Sequence, residues 1–124
     1  MRPHHRFIAA AAFLAFAGAA QARPPATPKT PLNDCVNLSG DYEAFRFGKQ
    51  YLLIQDHDAH YRLSFSGDCE ALGISTQVVI STAGEANRLC PTATRVESRR
   101  HTCAVRRVDE IDATQYARYE RISR

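Results

Sequence analysis

Four cysteines constrain the fold of this chain more than any other feature of its sequence: Cys35, Cys69, Cys90 and Cys103. Their number is even, and no two of them have the Cys-x-x-Cys spacing that is typical of structural zinc sites. In an oxidising compartment, thiols that lie close together in a fold are converted into disulfides. The sequence therefore predicts two disulfide bonds, provided that the protein is exported.

The N-terminal segment has the organisation of a secretory signal peptide. Residues 2–6 include two arginines and two histidines, residues 7–20 form an uncharged and mostly apolar run, and Ala20-Gln21-Ala22 fits a cleavage site. The apolar run is shorter than the roughly 18 residues that a membrane-spanning helix requires. We expect cleavage after Ala22, no transmembrane segment after cleavage, and a soluble periplasmic or secreted product.

The predicted mature chain is short and nearly neutral. Removal of residues 1–22 leaves 102 of the 124 residues, enough for one domain whose small core benefits from covalent cross-links. Two of the 16 basic residues lie in the signal peptide and none of the 13 acidic residues does, so the mature net charge is +1. A charge this small creates no long-range field for nucleic acid, and we expect no nucleic-acid partner.

Composition and periodicity divide the mature chain into three segments. Residues 23–32 are rich in proline, which disfavours helix and predicts an extended spacer. Residues 33–112 contain the four cysteines and form the predicted β domain. Residues 113–124 form a tail or a short helix. The helix would begin at a box of Asp112 and Gln115 and carry an apolar stripe of Tyr116, Tyr119 and Ile122.

Alternating apolar residues predict an all-β fold for the central domain. Phe45 and Phe47 precede a Gly48-Lys49 turn, and the apolar run at residues 51–54 is typical of a strand buried on both faces. Residues 61–66 have the alternation of a half-buried strand, with Arg62 on its solvent face. Further strands are predicted at residues 77–81, 95–98 and 102–108, with a loop at residues 82–87. The expected architecture is an antiparallel meander of five or six strands, rolled into a small barrel or sandwich.

Four cysteines allow three pairings, and loop entropy does not choose among them. One pairing joins Cys69 to Cys90 and Cys35 to Cys103, and another joins Cys35 to Cys69 and Cys90 to Cys103. The two differ by only about 1 kcal/mol in the loop entropy that they remove from the unfolded chain. We prefer the first, because a bond between the opening segment at Cys35 and the last strand at Cys103 would close a small sheet.

The segment Asp56-His57-Asp58-Ala59-His60 is the densest set of metal-ligand types in the chain. His57 and His60 are therefore weak candidates for metal ligands. They are three residues apart in a predicted hairpin turn, where no helix places them on one face, and no third histidine is close in sequence. We interpret the segment as an aspartate-rich turn and expect no metal and no cofactor.

Five arginines form a local basic cluster near the C-terminus: Arg95, Arg99, Arg100, Arg106 and Arg107. The acidic residues Asp109, Glu110 and Asp112 follow directly and are expected to neutralise part of it. We interpret the cluster as a solvated or ion-paired strand face. The alternative is a surface that docks an acidic partner or an anionic envelope component.

The run from Tyr61 to Leu72, Tyr-Arg-Leu-Ser-Phe-Ser-Gly-Asp-Cys-Glu-Ala-Leu, resembles the central motif of an uncharacterised family of exported bacterial domains of unknown function. In that family one cysteine opens the domain, as Cys35 does here, and the second ends a Tyr-x-Leu-x-x-x-Gly-x-Cys motif. The third follows a hydrophobic strand and loop, and the fourth begins the closing strand. The resemblance covers residues 33–111 and implies the location, the cysteines and the fold, but no activity.

The sequence offers no pattern typical of a catalytic site. It has no Gly-x-Ser-x-Gly motif, no cysteine remains free if all four pair, and about 100 residues leave little room for a substrate cleft. We therefore expect a non-catalytic, monomeric module that binds or supports an unknown envelope or extracellular partner. The alternative is a small secreted inhibitor of a hydrolase, which would insert an exposed loop at residues 56–59 or 82–87 into an active site.

Overall fold

The computed structural model describes residues 30–74 and 77–123. The predicted signal peptide and most of the proline-rich spacer lie outside these residues. The strands are β1 (Thr30–Pro31), β2 (Val36–Asn37), β3 (Glu43–Phe47), β4 (Tyr51–Asp56), β5 (Ala59–Phe65), β6 (Val79–Thr82), β7 (Glu85–Ala86), β8 (Arg88–Leu89), β9 (Thr94–Glu97) and β10 (Thr102–Ile111). The helices are α1 (Glu70–Ile74) and α2 (Ala113–Ser123).

One curled, antiparallel sheet forms most of the molecule. Its strand order is β3-β4-β5-β10-β9-β6-β7, with β1 also paired to β10, and β2 and β8 form a separate two-stranded pair. The sheet curls into a half-barrel, which confirms the predicted all-β class. Among the described residues six strands contain four residues or more, as the sequence predicts. The remaining strands are two-residue pairings, which are too short to have a readable alternation.

Two apolar cores lie on opposite faces of the sheet. The inner core consists mainly of Leu32, Leu38, Leu52, Ile54, Tyr61, Leu63, Cys69, Ala71, Leu72, Ile80, Leu89, Val96, Val105 and Val108. The outer core consists of Leu53, Ile111 and Tyr116, with Phe45, Phe47, Tyr51 and Tyr119 packed against them. Strand β4 contributes to both cores, since Leu52 and Ile54 face inward and Leu53 faces outward. This confirms the prediction of a strand buried on both faces.

Helix α2 covers the outer face of β3, β4 and β5, and it begins where the sequence predicts. The Asp112 carboxylate accepts a hydrogen bond from the Gln115 backbone N–H (2.7 Å) and thereby caps the first turn. Tyr116 is buried and Tyr119 is half-buried, but Ile122 is 64% exposed. The predicted apolar stripe is therefore wrong at Ile122, because the helix extends beyond the apolar surface of the sheet.

The prediction that Arg62 faces solvent is wrong. Arg62 is on the outer face of β5 as the alternation requires, but α2 covers that face and only 9% of the residue is exposed. The predicted loop at residues 82–87 is also wrong, because Ser81 pairs with Ala86 and Thr82 with Glu85 to form a hairpin. Its two turn residues, Ala83 and Gly84, have φ values of 52° and 79°.

Both predicted disulfides form, but the preferred pairing is wrong. The structure joins Cys35 to Cys90, with Cα atoms 4.1 Å apart, and Cys69 to Cys103, with Cα atoms 5.8 Å apart. Cys35 lies beside Cys90 because β2 pairs with β8, with Val36 opposite Leu89. Cys69 precedes α1, which packs against β10 at the start of that strand. No free cysteine is present among the described residues.

The ordered sheet also begins earlier than the predicted domain. Strand β1, inside the proline-rich spacer, pairs with β10 through Thr30 opposite Glu110. Leu32, the residue after β1, packs in the inner core and donates its backbone N–H to the Val108 carbonyl oxygen (2.9 Å). Within the described part of the chain, no helix has the length and apolar character to span a bilayer.

Candidate functional site

An exposed group of four arginines occupies the hairpin formed by β9 and β10. Arg95 lies on β9, Arg106 lies on β10, and Arg99 and Arg100 lie in the turn between them. We call these four residues the arginine surface. The turn is closed at its base, where the Ser98 backbone N–H donates to the His101 carbonyl oxygen (2.8 Å) and the His101 N–H donates to Ser98 Oγ (3.2 Å).

The strand register places Arg95 in the middle of the outer face of this half of the sheet. Ala104 of β10 lies opposite Arg95 on one side, and Ser81 of β6 lies opposite it on the other. Both neighbours have small side chains, so the arginine side chain is not enclosed. On the same face Val79 is 51% exposed, while Glu97 beside it is half-buried. Arg106 lies at a bulge in β10, between Val105 and Arg107.

The acidic residues expected to neutralise part of the five-arginine cluster do not pair with the arginine surface. Asp109 is fully buried and pairs with Arg62 and with Arg107, the fifth arginine of the sequence cluster. Glu110 lies opposite Tyr61, toward the far end of β10, and Asp112 caps α2. Within residues 30–74 and 77–123, none of the four arginines forms an ion pair. The expected neutralisation of part of the cluster is therefore confirmed at Arg107, and the other four arginines are exposed to solvent.

A second polar cluster lies at the opposite end of the molecule, at the turn between β4 and β5. His57 Nε2 is 3.5 Å from Asp41 Oδ1 and 4.0 Å from Asp56 Oδ1. Ser39 donates its backbone N–H to Asp56 Oδ2 (3.0 Å), and its hydroxyl oxygen lies 2.6 Å from Asp41 Oδ1 and close to Asp56 Oδ1. The hydrogen bond from Ser39, helped by the Asp41 backbone and by His57, lowers the pKa of Asp41.

The structure separates the two histidines that were weak candidates for metal ligands. His57 is exposed in the two-residue turn between β4 and β5 and has a φ of 54°. His60 is buried, and its ring centroid lies 5.0 Å from that of Tyr116 of α2. A metal at this end would be held by Asp41, Asp56 and His57, whose ligand atoms lie within 4.8 Å of one another. Sequence reasoning missed Asp41 as a partner of His57, because the whole β3–β4 hairpin separates the two residues in the sequence.

A third cluster of charged residues lies between the sheet and α2 and has a structural role. Arg62 Nη2 is 3.0 Å from Asp109 Oδ2, and Arg62 Nη1 donates to the Tyr119 hydroxyl (2.9 Å). The guanidinium also lies 4.7 Å from the centroid of the Tyr51 ring. Asp109 Oδ1 accepts from Arg107 Nε (2.7 Å). Because Arg62 lies on β5 and Tyr119 lies on α2, the hydrogen bond between them helps to hold the helix on the outer face.

Comparison of the chain with protein-family models, with curated proteins and with solved structures finds no match in any of the three.

Proposed function

We propose that this chain is an exported, non-catalytic module that binds an anionic component of the cell envelope. The observation that carries the proposal is the arginine surface. It presents four exposed cations that have no ion-pair partner among the described residues, on a hairpin with a closed turn. Guanidinium groups in such a position are free to bind phosphate or carboxylate groups of a partner.

The two disulfides support the exported location, periplasmic or secreted, that the N-terminal motif predicts. All four cysteines are oxidised, which is typical of proteins from oxidising compartments. The Cys69–Cys103 bond also braces the arginine surface, because Cys103 is the second residue of β10. The same arrangement is compatible with membership of the exported four-cysteine family that the Tyr61–Leu72 motif resembles, and with a monomeric module.

The shapes of two turns favour a binding module over a hydrolase inhibitor. An inhibitor that blocks an active site needs an exposed loop that reaches into it. The two segments suited to that role by sequence are both two-residue hairpin turns, with Asp56 paired to Ala59 and Thr82 paired to Glu85. Turns this short extend little beyond the ends of their strands.

The first experiment combines intact mass with envelope fractionation of the full-length chain, expressed with its own N-terminus in a bacterial host. We expect a periplasmic product that begins at Arg23, is four hydrogens lighter than its reduced form, and resists thiol alkylation until it is reduced. We also expect it to sediment with washed envelope at about 20 mM salt and to be released at about 500 mM salt, since screening weakens contacts with anionic groups. An uncleaved chain with reactive thiols, or a product that stays unbound at low salt, would contradict the proposal.

A further inference from the structure

We infer that the anionic component is the phospholipid headgroup layer of a bilayer, on which the arginine surface docks with the Asp41–Asp56 end of the molecule directed away. This inference rests on the proposed function and names the partner of the same surface. It is carried by the chemistry of the four side chains, by the shape of the sheet face around Arg95, and by the distribution of charge along β10.

The two ends of β10 have opposite charge. The arginine turn precedes Thr102 at one end, and Ile111 at the other end lies opposite His60, next to the turn that holds Asp56 and His57. Ten residues of antiparallel strand span about 30 Å. This length exceeds the screening length of about 8 Å at physiological salt, so an anionic layer that attracts the arginine end does not repel the distant carboxylates. The charge distribution therefore orients the molecule at a planar anionic surface although the predicted net charge of the mature chain is small.

The spacing of the four arginine side chains suits a layer of separate phosphate groups. Each guanidinium group offers a planar fork of donors that can bind two phosphate oxygens at once. Arg99 and Arg100 lie at the hairpin tip, whereas Arg95 and Arg106 lie further along its strands. Side chains spread in this way can each meet a separate headgroup, while a single small anion could contact only one or two of them.

The sheet face around Arg95 is suited to contact with a flat surface. The residues on either side of Arg95, Ser81 and Ala104, are small, so no bulky side chain prevents close approach. Val79 projects from the same face and is 51% exposed, which provides one apolar contact at the level of the headgroups. Glu97, opposite Val79 in the strand register, is half-buried.

The test is flotation of the exported protein, recovered from the periplasm, with vesicles of phosphatidylcholine containing 30% phosphatidylglycerol or none. We expect binding to the anionic vesicles, release by about 500 mM salt, and little binding to the neutral ones. Each basic residue near an anionic bilayer contributes about a fivefold change in partitioning. The Arg99→Gln/Arg100→Gln variant should therefore lose about 25-fold in partitioning.

The chain offers a charge-matched control on another surface. Arg118 and Arg121 are exposed on α2, and their double substitution with glutamine removes the same charge away from the β9–β10 hairpin. We expect this variant to retain partitioning within about twofold, because those side chains lie on the helix that covers β3, β4 and β5. Urea unfolding of both variants is the control for misfolding, and we expect both to unfold cooperatively like the parent protein.

Three outcomes would overturn the inference, and they separate it from the proposed function. Equal losses in the two double variants would mean nonspecific attraction by overall charge. Binding to washed envelope without binding to anionic vesicles would leave the proposed function in place with a different partner. Salt-sensitive self-association that Arg99→Gln/Arg100→Gln abolishes, in the absence of vesicle binding, would assign the arginine surface to the acidic end of a second copy.

Discussion

Asp109 lies directly opposite Arg62 in the register of β5 and β10, and the two side chains form an ion pair from which solvent is almost completely excluded. The Asp109 side chain has no exposed surface, and that of Arg62 is 11% exposed. The pair also involves α2, because Arg62 donates to the Tyr119 hydroxyl. These contacts join two central strands and the C-terminal helix.

Removal of the carboxylate should destabilise the protein strongly. We expect Asp109→Ala to lower the free energy of unfolding by about 3–5 kcal/mol, because it leaves the buried guanidinium of Arg62 without its counter-ion. Urea denaturation followed by circular dichroism measures the change. The neighbouring Glu110→Ala is the control, since Glu110 is exposed and its loss should change stability by less than about 0.5 kcal/mol. Similar losses for the two variants would disprove the importance of the buried pair.

The two disulfides should differ in their rate of reduction. Cys35 is exposed, whereas the Cys69–Cys103 bond joins a fully buried residue to a half-buried one. A reducing thiolate must reach a sulfur atom, so we expect the Cys35–Cys90 bond to open first under mild reduction. Timed alkylation followed by peptide mass mapping measures the order. Alkylation of Cys69 before Cys35 would contradict the structure.

The β6–β7 hairpin has a turn whose sequence can be improved. Ala83 has a φ of 52°, in the left-handed region that asparagine tolerates better than alanine, and Gly84 follows it. We expect Ala83→Asn to raise the free energy of unfolding by about 0.5–1 kcal/mol, because Asn-Gly is the favoured pair in this type of turn. Urea midpoints give the comparison. Ala86→Asn, in the extended part of the same hairpin, should bring no gain.

The buried phenol of Tyr116 should make stability depend on alkaline pH. Burial, with smaller contributions from Glu120 and Glu43, raises the pKa of Tyr116 to about 12. The folded state therefore keeps this proton longer than the unfolded state does, and the resulting stability is fully present below pH 10 and is lost as pH rises toward 12. We expect Tyr116→Phe to lose less stability than the parent protein between pH 9 and 11. Parallel loss in the two proteins across this range would contradict the assignment.

Local patterns in the sequence were sufficient to predict the main strands and the starting residues of a C-terminal helix, which was one of two alternatives for residues 113–124. Residues 51–54 are apolar at every position, and such a run of strand length is buried on both faces in this fold. Asp112 and Gln115 predicted the beginning of α2 because a cap depends on residues only three positions apart. The even number of cysteines predicted two disulfides, since that prediction requires no knowledge of which residues meet.

Contacts between segments that are distant in the sequence decided the disulfide pairing and the burial of Arg62. Cys35 bonds to Cys90 because β2 pairs with β8, and no local pattern reveals a two-residue pairing across more than 50 positions. Arg62 is buried because α2, which begins at residue 113, covers its face.

Tertiary contacts also decided the exposure of the two histidines and the pairing of the arginines at the two ends of the molecule. His57 and His60 lie on the same short segment, yet the turn exposes one and the packing of α2 buries the other. Among the described residues the four side chains of the arginine surface form no ion pair, because nearby carboxylates of the sequence are used elsewhere, Asp109 in the buried ion pair and Asp112 at the start of α2. The sequence by itself therefore determined the six longer strands and the presence of two cross-links. The tertiary structure decided which side chains are buried, paired or free, because burial and pairing depend on segments that are far apart in the chain.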